Sequence, residues 1–328
     1  MVVNAYTYTH DAIIDDWNSL DYPEITSSLS KSQLPTDVDL TEQFPTPGDQ
    51  GDSPCCSSWA VGYYLYSSMA YTKWNWTKDS QNHLFSPLFV YNLTNSGLKK
   101  STTVNASIEA IKNIGICTLS YLPYDENNDI FIPTSLQFAN ASLYKAVDGL
   151  KISDIGAMKD KLANGVGVVL SIVLYEDFND ISQSNPIYDT ISGEILGNHA
   201  ICLIGYDDSI NAFKFINSYG TDWGLDGYGW ISYDLVNSDV VNLYKAGHGY
   251  GLNFYSFDNY LLGDVNEDGS ITAADARLVL RYSARTETPT DMQFVLGDVD
   301  GDGQITASDA RSLLNYASKT IDKLPLYE

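Results

Sequence analysis

Apolar positions along the chain change their spacing part-way, and the change divides it into regions. Helical spacing over 57–72, 105–114 and 154–164 predicts helices. Runs rich in β-branched and aromatic residues at 166–174, 200–206, 213–217 and 229–233 predict strands. Helices first and strands later describe an α+β region with two segregated halves, from about residue 34 to 258, and a cleft between such halves is a natural active-site position. Residues 1–33 ahead of it form a polar leader. Ile13, Trp17 and Leu20 fall on one face of a short helix there, punctuated by Tyr22-Pro23 and Leu34-Pro35.

The C-terminal pattern repeats. The segment beginning Asp264-Val265-Asn266-Glu267-Asp268-Gly269 recurs at Asp298-Val299-Asp300-Gly301-Asp302-Gly303, with 12 identities in 20 positions between 264–283 and 298–317. A helical stripe follows each copy, at Ala276, Val279, Leu280 and at Ala310, Leu313, Leu314, and residues 286–290 read as a turn between them. A second domain therefore covers 261–328.

The chain has 328 residues, enough for two domains, and carries a formal charge of −24 from 42 acidic and 18 basic side chains. With 44% hydrophobic residues it is a folding, soluble composition rather than an acidic disordered tail. The acidity argues against a nucleic-acid partner or an anionic membrane surface, and no apolar run reaches the roughly 18 residues of a membrane span. The first residues have no basic stretch followed by an apolar one, so no secretory signal is visible, as a mature chain would also look. Four cysteines (Cys55, Cys56, Cys117, Cys202) are too few for a disulfide scaffold, and at least one is better explained by chemistry.

The acidity does permit cation binding. In each repeat, positions 1, 3 and 5 carry Asp or Asn oxygens, position 6 is Gly, position 9 Thr and position 12 Asp. Hard cations take six to eight oxygens, and the glycine allows the turn that gathers them. These tandem loops resemble the duplicated calcium-binding segments of dockerin domains, which plug into cohesin modules of bacterial cellulosome scaffoldins. The resemblance implies two structural Ca²⁺ ions. Asp264, Asn266, Asp268, Thr272 and Asp275, with the Ser270 carbonyl, would hold one. Asp298, Asp300, Asp302, Thr306 and Asp309, with the Gln304 carbonyl, would hold the other. It also implies a cohesin contact through Ala273, Ala274, Arg281 and Arg285 and through Ala307, Ser308, Asn315 and Lys319. The two faces differ, which argues against a symmetric dual binding mode.

Three segments carry candidate catalytic chemistry: Asp49-Gln50-Gly51-Asp52-Ser53-Pro54-Cys55-Cys56-Ser57-Ser58-Trp59-Ala60, Gly197-Asn198-His199-Ala200, and Asn217-Ser218-Tyr219-Gly220-Thr221-Asp222-Trp223-Gly224. A thiol nucleophile needs a base, a group that orients the base, and donors for the developing oxyanion. This set resembles the papain-like (C1) cysteine peptidases, and the bacterial branch in particular through Phe85-Ser86-Pro87-Leu88-Phe89-Val90-Tyr91-Asn92. The expected architecture is a two-part α+β fold, a helical half and a β-barrel-like half, followed by a small all-α dockerin domain.

Two registers compete for the nucleophile. Counting six residues on from Gln50 without a gap gives Cys56; aligning Trp59-Ala60 with the family's Cys-Trp-Ala instead puts Ser58 there, with Cys55 a third option. The gapless register is preferred. The resemblance then assigns His199 as base and general acid, Asn217 as its orienting partner, and the Gln50 amide with the Cys56 N–H as oxyanion donors. Trp223 would shield the His–Asn pair, and Tyr219 stands where papain has Trp. Cys202 reads as a small core residue, Cys117 as core, free or paired with Cys55, and His10, His83 and His248 as structural or exposed.

The function that follows is a secreted bacterial cysteine peptidase attached to a cellulosome-type scaffold at the cell surface, acting on protein or peptide substrates. Alternatives are an inactive binding or inhibitory subunit with Ser58 at the dead position, and an acyl transferase with an amine acceptor. Residues 1–33 are too short for a full inhibitory prosegment and read as a remnant lying on the surface or in the groove.

Overall fold

The computed structural model describes residues 16–26, 34–238, 249–254 and 261–327. A helical rod begins at Cys56, and it is not the uniform helix that its spacing predicts. A first turn, α1 (Cys56–Ser58), leads into a π-helical stretch (Trp59–Tyr66), and the rod ends as α2 (Ser67–Trp74). The wider π turn has a packing reason. It brings Trp59 against both Tyr63 and Tyr64, with ring centroids 4.5 and 6.0 Å away, where a tighter helix favours one spacing. Asn75 in the left-handed region stops the rod.

Around it pack α3 (Pro87–Thr94) and α4 (Val104–Asn113), and α5 (Ser135–Ser142) lies against α3 through Phe138 and Phe89. Only α4 matches an expected helix. Ser86 caps α3 with Pro87 at its first position, and Thr134 with Gln137 makes a capping box for α5. Both are local start signals that an apolar-spacing criterion passes over. The expected 154–164 helix is α6 (Ile155–Ala163), capped by Asp154, and a short α7 (Tyr233–Val236) follows the last expected strand.

Among the described residues, nine strands form one sheet: β1 (Glu24–Ile25), β2 (Asp37–Asp39), β3 (Ala146–Ile152), β4 (Val168–Tyr175), β5 (Ile187–Tyr188), β6 (Ile195–Asp207), β7 (Ala212–Ile216), β8 (Tyr228–Ser232) and β9 (Gly249–Phe254). Their order is β1-β3-β9-β4-β6-β7-β8-β5, with β2 added to the end of β6. Pairing is antiparallel except at β1/β3 and β5/β8. The four expected strands fall on β4, β6, β7 and β8. β6 sits in the middle and is buried from His199 through Tyr206. Gly205 is required where β2 crosses: a Cβ there would lie 2.3 Å from the Val38 carbonyl oxygen.

The leader is less detached than its polarity suggests. Trp17–Ser19 is a 3₁₀ turn capped by Asp16, and Trp17, Leu20 and Tyr22 are buried. Trp17 meets Tyr250 of β9 edge-on at 5.2 Å, and β1 pairs with β3. The Tyr22 hydroxyl sits between the side-chain oxygens of Asn105 and Glu109 on α4, 2.7 Å from the latter. The segment thus ties the sheet to a helix of the other half. Ile13, its proposed third apolar position, lies outside the described residues.

The C-terminal unit is α8 (Ala273–Ser283), α9 (Asp291–Gly297) and α10 (Ala307–Ala317), with α8 packed on α10 around Val279, Leu296, Val299 and Leu313. The sequence repeat is also a repeat of hydrogen bonds. Asp264 Oδ2 accepts the Gly269 N–H at 2.8 Å, and Asp298 Oδ2 accepts that of Gly303 at the same distance. Position 6 needs glycine in both copies, with φ of +86° and +81°. The turn expected at 286–290 ends in Thr290, the N-cap of α9.

Candidate active site

The sheet and the rod converge on one buried cluster. His199 lies on β6 opposite Ile172 of β4, and Asn217 follows directly after β7, the neighbouring strand. The imidazole Nε2 is 2.8 Å from Asn217 Oδ1. That oxygen also accepts the Ser218 N–H at 2.9 Å, which fixes the amide orientation. An amide oxygen only accepts, so Nε2 carries the proton and Nδ1 is the basic nitrogen of the neutral ring. The Asn217 backbone is itself held: its N–H donates to the Gly227 carbonyl at 3.0 Å, and its own carbonyl accepts from the Tyr64 hydroxyl at 2.8 Å.

Cys56 opens α1, where N–H groups without helical partners and the helix dipole favour negative charge. Its thiol is within hydrogen-bond reach of the backbone of Ala200, the residue after His199. Cys56, His199, Asn217 and Gln50 are all fully or almost fully buried. Burial pushes the Cys56 thiol up to about 12 and Cys55 up to about 11, so both are protonated near neutrality.

Gln50 is locked from three sides. Its backbone N–H donates to the Ser218 carbonyl at 2.9 Å, Oε1 accepts from Ser218 Oγ at 2.5 Å, and Nε2 donates to the Ser53 carbonyl at 2.9 Å. One Nε2 hydrogen therefore remains for another acceptor. The Tyr124 hydroxyl donates to the Gln50 carbonyl at 2.8 Å and lies 3.3 Å from Cys55 Sγ, while its ring meets Trp59 edge-on at 4.8 Å. Neither Ser218 nor Tyr124 was singled out in the sequence. Ser218 stands inside a quoted motif, but the role of each is a contact across 74 to 168 residues.

Tyr219 stacks on the His199 ring with centroids 4.7 Å apart, and its hydroxyl is 3.4 Å from Nδ1. Phe178 approaches the ring edge-on at 6.2 Å. Trp223 stacks on Phe178 at 5.2 Å and meets Tyr219 at 5.8 Å. The aromatic cover expected of Trp223 is thus supplied directly by Tyr219 and Phe178, with Trp223 behind them. Ser58 is buried with its hydroxyl 3.4 Å from Ser107 Oγ on α4. All four cysteines are free thiols, so Cys55 and Cys117 are not paired, and Cys202 is a core residue of β6. His83 is structural, stacked on Trp76 at 4.7 Å with Nδ1 3.0 Å from the Thr77 carbonyl; His10 and His248 lie outside the described residues.

Residues 34–244 match the papain family of cysteine proteases, which is more than half of the chain. The chain belongs to that family. It is 26% identical over 208 residues to an uncharacterized peptidase C1-like protein of Acanthamoeba polyphaga mimivirus, covering 57% of this chain and 64% of that protein. It is 25% identical over 213 residues to Cathepsin B-like CP3 of Giardia intestinalis, covering 61% and 70%. The chain thus spans about two thirds of these relatives' lengths. Among solved structures, xylellain, a cysteine protease from Xylella fastidiosa, superposes with a TM-score of 0.61 at 22% identity, over 76% of this chain and 97% of that one. Procathepsin B S9 from Trypanosoma congolense gives 0.60 at 19% identity, over 76% and 87%. Both share the papain-family fold. Residues 262–318 match the dockerin type I domain, a calcium-binding class.

In the second dockerin loop the carboxylate oxygens of Asp298, Asp300 and Asp302 lie within 4.8 Å of one another. Burial raises the Asp298 carboxyl to about 8, and its Oδ1 is buried without a hydrogen-bond partner among the described residues. Such an orphaned oxygen in an all-oxygen donor set fits a hard cation. Asp275 and Asp309 also close the loops. Asp275 Oδ1 accepts the Val265 N–H at 2.9 Å and Oδ2 that of Thr272 at 2.8 Å; Asp309 does the same for Val299 and Thr306, at 3.1 and 2.9 Å. Thr272 and Thr306 cap α8 and α10. Among the described residues, no helix is long and apolar enough to cross a membrane.

Proposed function

We propose that this papain-family chain is an active cysteine peptidase carried by a calcium-dependent dockerin. The observation that carries the reading is the His199–Asn217 hydrogen bond beside the buried Cys56 at a helix start, because it puts the proton on Nε2 and makes Nδ1 the basic nitrogen. His199 takes the Cys56 proton, and the thiolate attacks the scissile carbonyl carbon. The Gln50 amide and the Cys56 N–H stabilise the oxyanion. Collapse expels the amine, which takes its proton from His199, and leaves a thioester. Water, deprotonated by His199, then hydrolyses the acyl-enzyme and restores the thiol. Ser58 as the nucleophile position is disfavoured by its contact with Ser107 on α4.

The two loops would hold two Ca²⁺ ions, one through Asp264, Asn266, Asp268, Thr272 and Asp275 with the Ser270 carbonyl, the other through Asp298, Asp300, Asp302, Thr306 and Asp309 with the Gln304 carbonyl. A bound cation would supply the charge that these carboxylates lack. A cohesin module is the partner this implies, with a secreted, scaffold-bound location in a bacterium. Ala273, Arg281, Arg285, Ala307, Ser308 and Lys319 are exposed, which suits a docking face.

The test is hydrolysis of fluorescently labelled, unfolded casein by the intact chain and by Cys56→Ala and Ser58→Ala. Loss of turnover in Cys56→Ala alone supports the reading. Turnover that survives Cys56→Ala, or is absent from the reduced, calcium-loaded parent, overturns it.

A further inference from the structure

The peptidase and the dockerin meet at the second calcium loop. The Tyr121 hydroxyl donates to Asp298 Oδ2 at 2.5 Å, Asn82 Nδ2 donates to the Asp300 carbonyl at 2.8 Å, and Ser120 Oγ donates to the Gly301 carbonyl at 2.7 Å. Helix α5 packs on α9, and the Tyr121 ring meets Phe294 edge-on at 6.4 Å. All three hydrogen bonds reach the loop between its first and fourth positions.

We propose that this loop is the joint by which the dockerin is seated on the peptidase, and that Tyr121 tunes its cation affinity, so that calcium binding and seating are one linked equilibrium. The inference rests on the proposed reading of the loops as calcium sites.

A difference between the two copies supports it. In the first loop, among the described residues, Asp264 is held from within, by the N–H groups of Asp268 and Gly269 at 3.0 and 2.8 Å. In the second loop Asp298 Oδ2 takes the Gly303 N–H at 2.8 Å together with the peptidase hydroxyl, while Oδ1 is left buried without a hydrogen-bond partner among the described residues. Two donors on one oxygen fix the carboxylate and reduce its repulsion from Asp300 and Asp302, and the other oxygen remains for a cation. A group that orients a ligand in this way typically changes metal affinity by roughly 10–100-fold.

The other two contacts make the linkage reciprocal. Asn82 and Ser120 bind the Asp300 and Gly301 carbonyls with the loop folded around its carboxylates, as the Gly303 N–H to Asp298 bond holds it. Closing the loop with a cation therefore presents the surface that the peptidase binds, and seating favours the closed loop by the same factor. The exposed candidate cohesin residues take no part in these three hydrogen bonds.

The experiment is a calorimetric calcium titration of the full-length chain, with Cys56→Ala present to prevent self-cleavage. Asp268→Ala leaves the second loop as the intact site, and Asp302→Ala leaves the first. Adding Tyr121→Phe is expected to weaken the site remaining beside Asp268→Ala by roughly tenfold or more, and to leave the site remaining beside Asp302→Ala within twofold. Should either loop variant fail to fold, Asn82→Ala with Ser120→Ala in a chain with both loops intact is expected to weaken one of two affinities and spare the other. Equal affinities with and without Tyr121→Phe, or an equal loss at both sites, overturn the joint. If the parent binds no calcium at all, the reading of the loops fails instead.

Discussion

Removing the Gln50 amide tests the proposed oxyanion site, and removing Ser218 tests what holds it. Gln50→Ala deletes the Nε2 donor, and loss of one such donor costs about 10²–10³ in kcat, or about 2.7–4 kcal/mol. Ser218→Ala keeps the amide but breaks its 2.5 Å bond to Oε1, while the backbone bond at 2.9 Å and the Nε2–Ser53 bond at 2.9 Å still position it. A neutral hydrogen bond contributes about 0.5–1.5 kcal/mol net, so kcat should fall only roughly two- to tenfold. Ser218 acts through the amide, so in the double variant its effect should vanish and kcat should equal that of Gln50→Ala. KM should barely move in any of the three, because the interaction forms with the oxyanion. The assay is steady-state hydrolysis of a fluorogenic peptide, with alkylation of Cys56 by iodoacetamide counting intact sites. Multiplying losses in the double variant, or a kcat within about threefold of the parent for Gln50→Ala, would refute the reasoning.

Other consequences follow from the same structure. The Cys55 and Cys56 thiols are raised from an ordinary 9.0 to about 11 and 12 by burial. Their contribution is therefore present below pH 9 and lost as pH rises toward those values, because only the unfolded thiols ionise in that window. The thermal midpoint should decline above pH 9, and less steeply in Cys55→Ala/Cys56→Ala; equal slopes would contradict this. Gly205→Ala forces a methyl group against the Val38 carbonyl and should cost about 1–3 kcal/mol in urea unfolding, while an unchanged midpoint would mean that β2 yields freely. Tyr22→Phe removes the hydroxyl between Asn105 and Glu109 and should weaken leader attachment by about 1 kcal/mol, seen as faster protease nicking ahead of residue 34; unaltered nicking would argue against that tether.

What the sequence determines by itself is what is encoded over short range. Each calcium-type loop is a dozen consecutive residues whose side chains bond to their own backbone, so spacing alone exposes it, down to the glycine at position 6 and the Thr–Asp capping pair. Strands β4 and β6 are likewise visible as runs, because a strand covered on both faces has little polar alternation to blur it. Resemblance then names the residues that act together, but it carries no distances. Short or irregular elements stay hidden: β1, β2 and β3 hold their place through partners far away in the chain, and the capping signals of α3 and α5 lie outside any apolar period.

Only the tertiary structure decides which nitrogen of His199 is basic, because Asn217 reaches it from another strand. It also decides that Ser218 and Tyr124 hold Gln50, and that Tyr121 is bonded to a dockerin aspartate 177 residues away. A periodic pattern reports the face that an element buries. Its partner on that face is set by the packing of the whole chain, and there the candidate catalytic cluster and the proposed domain joint are made.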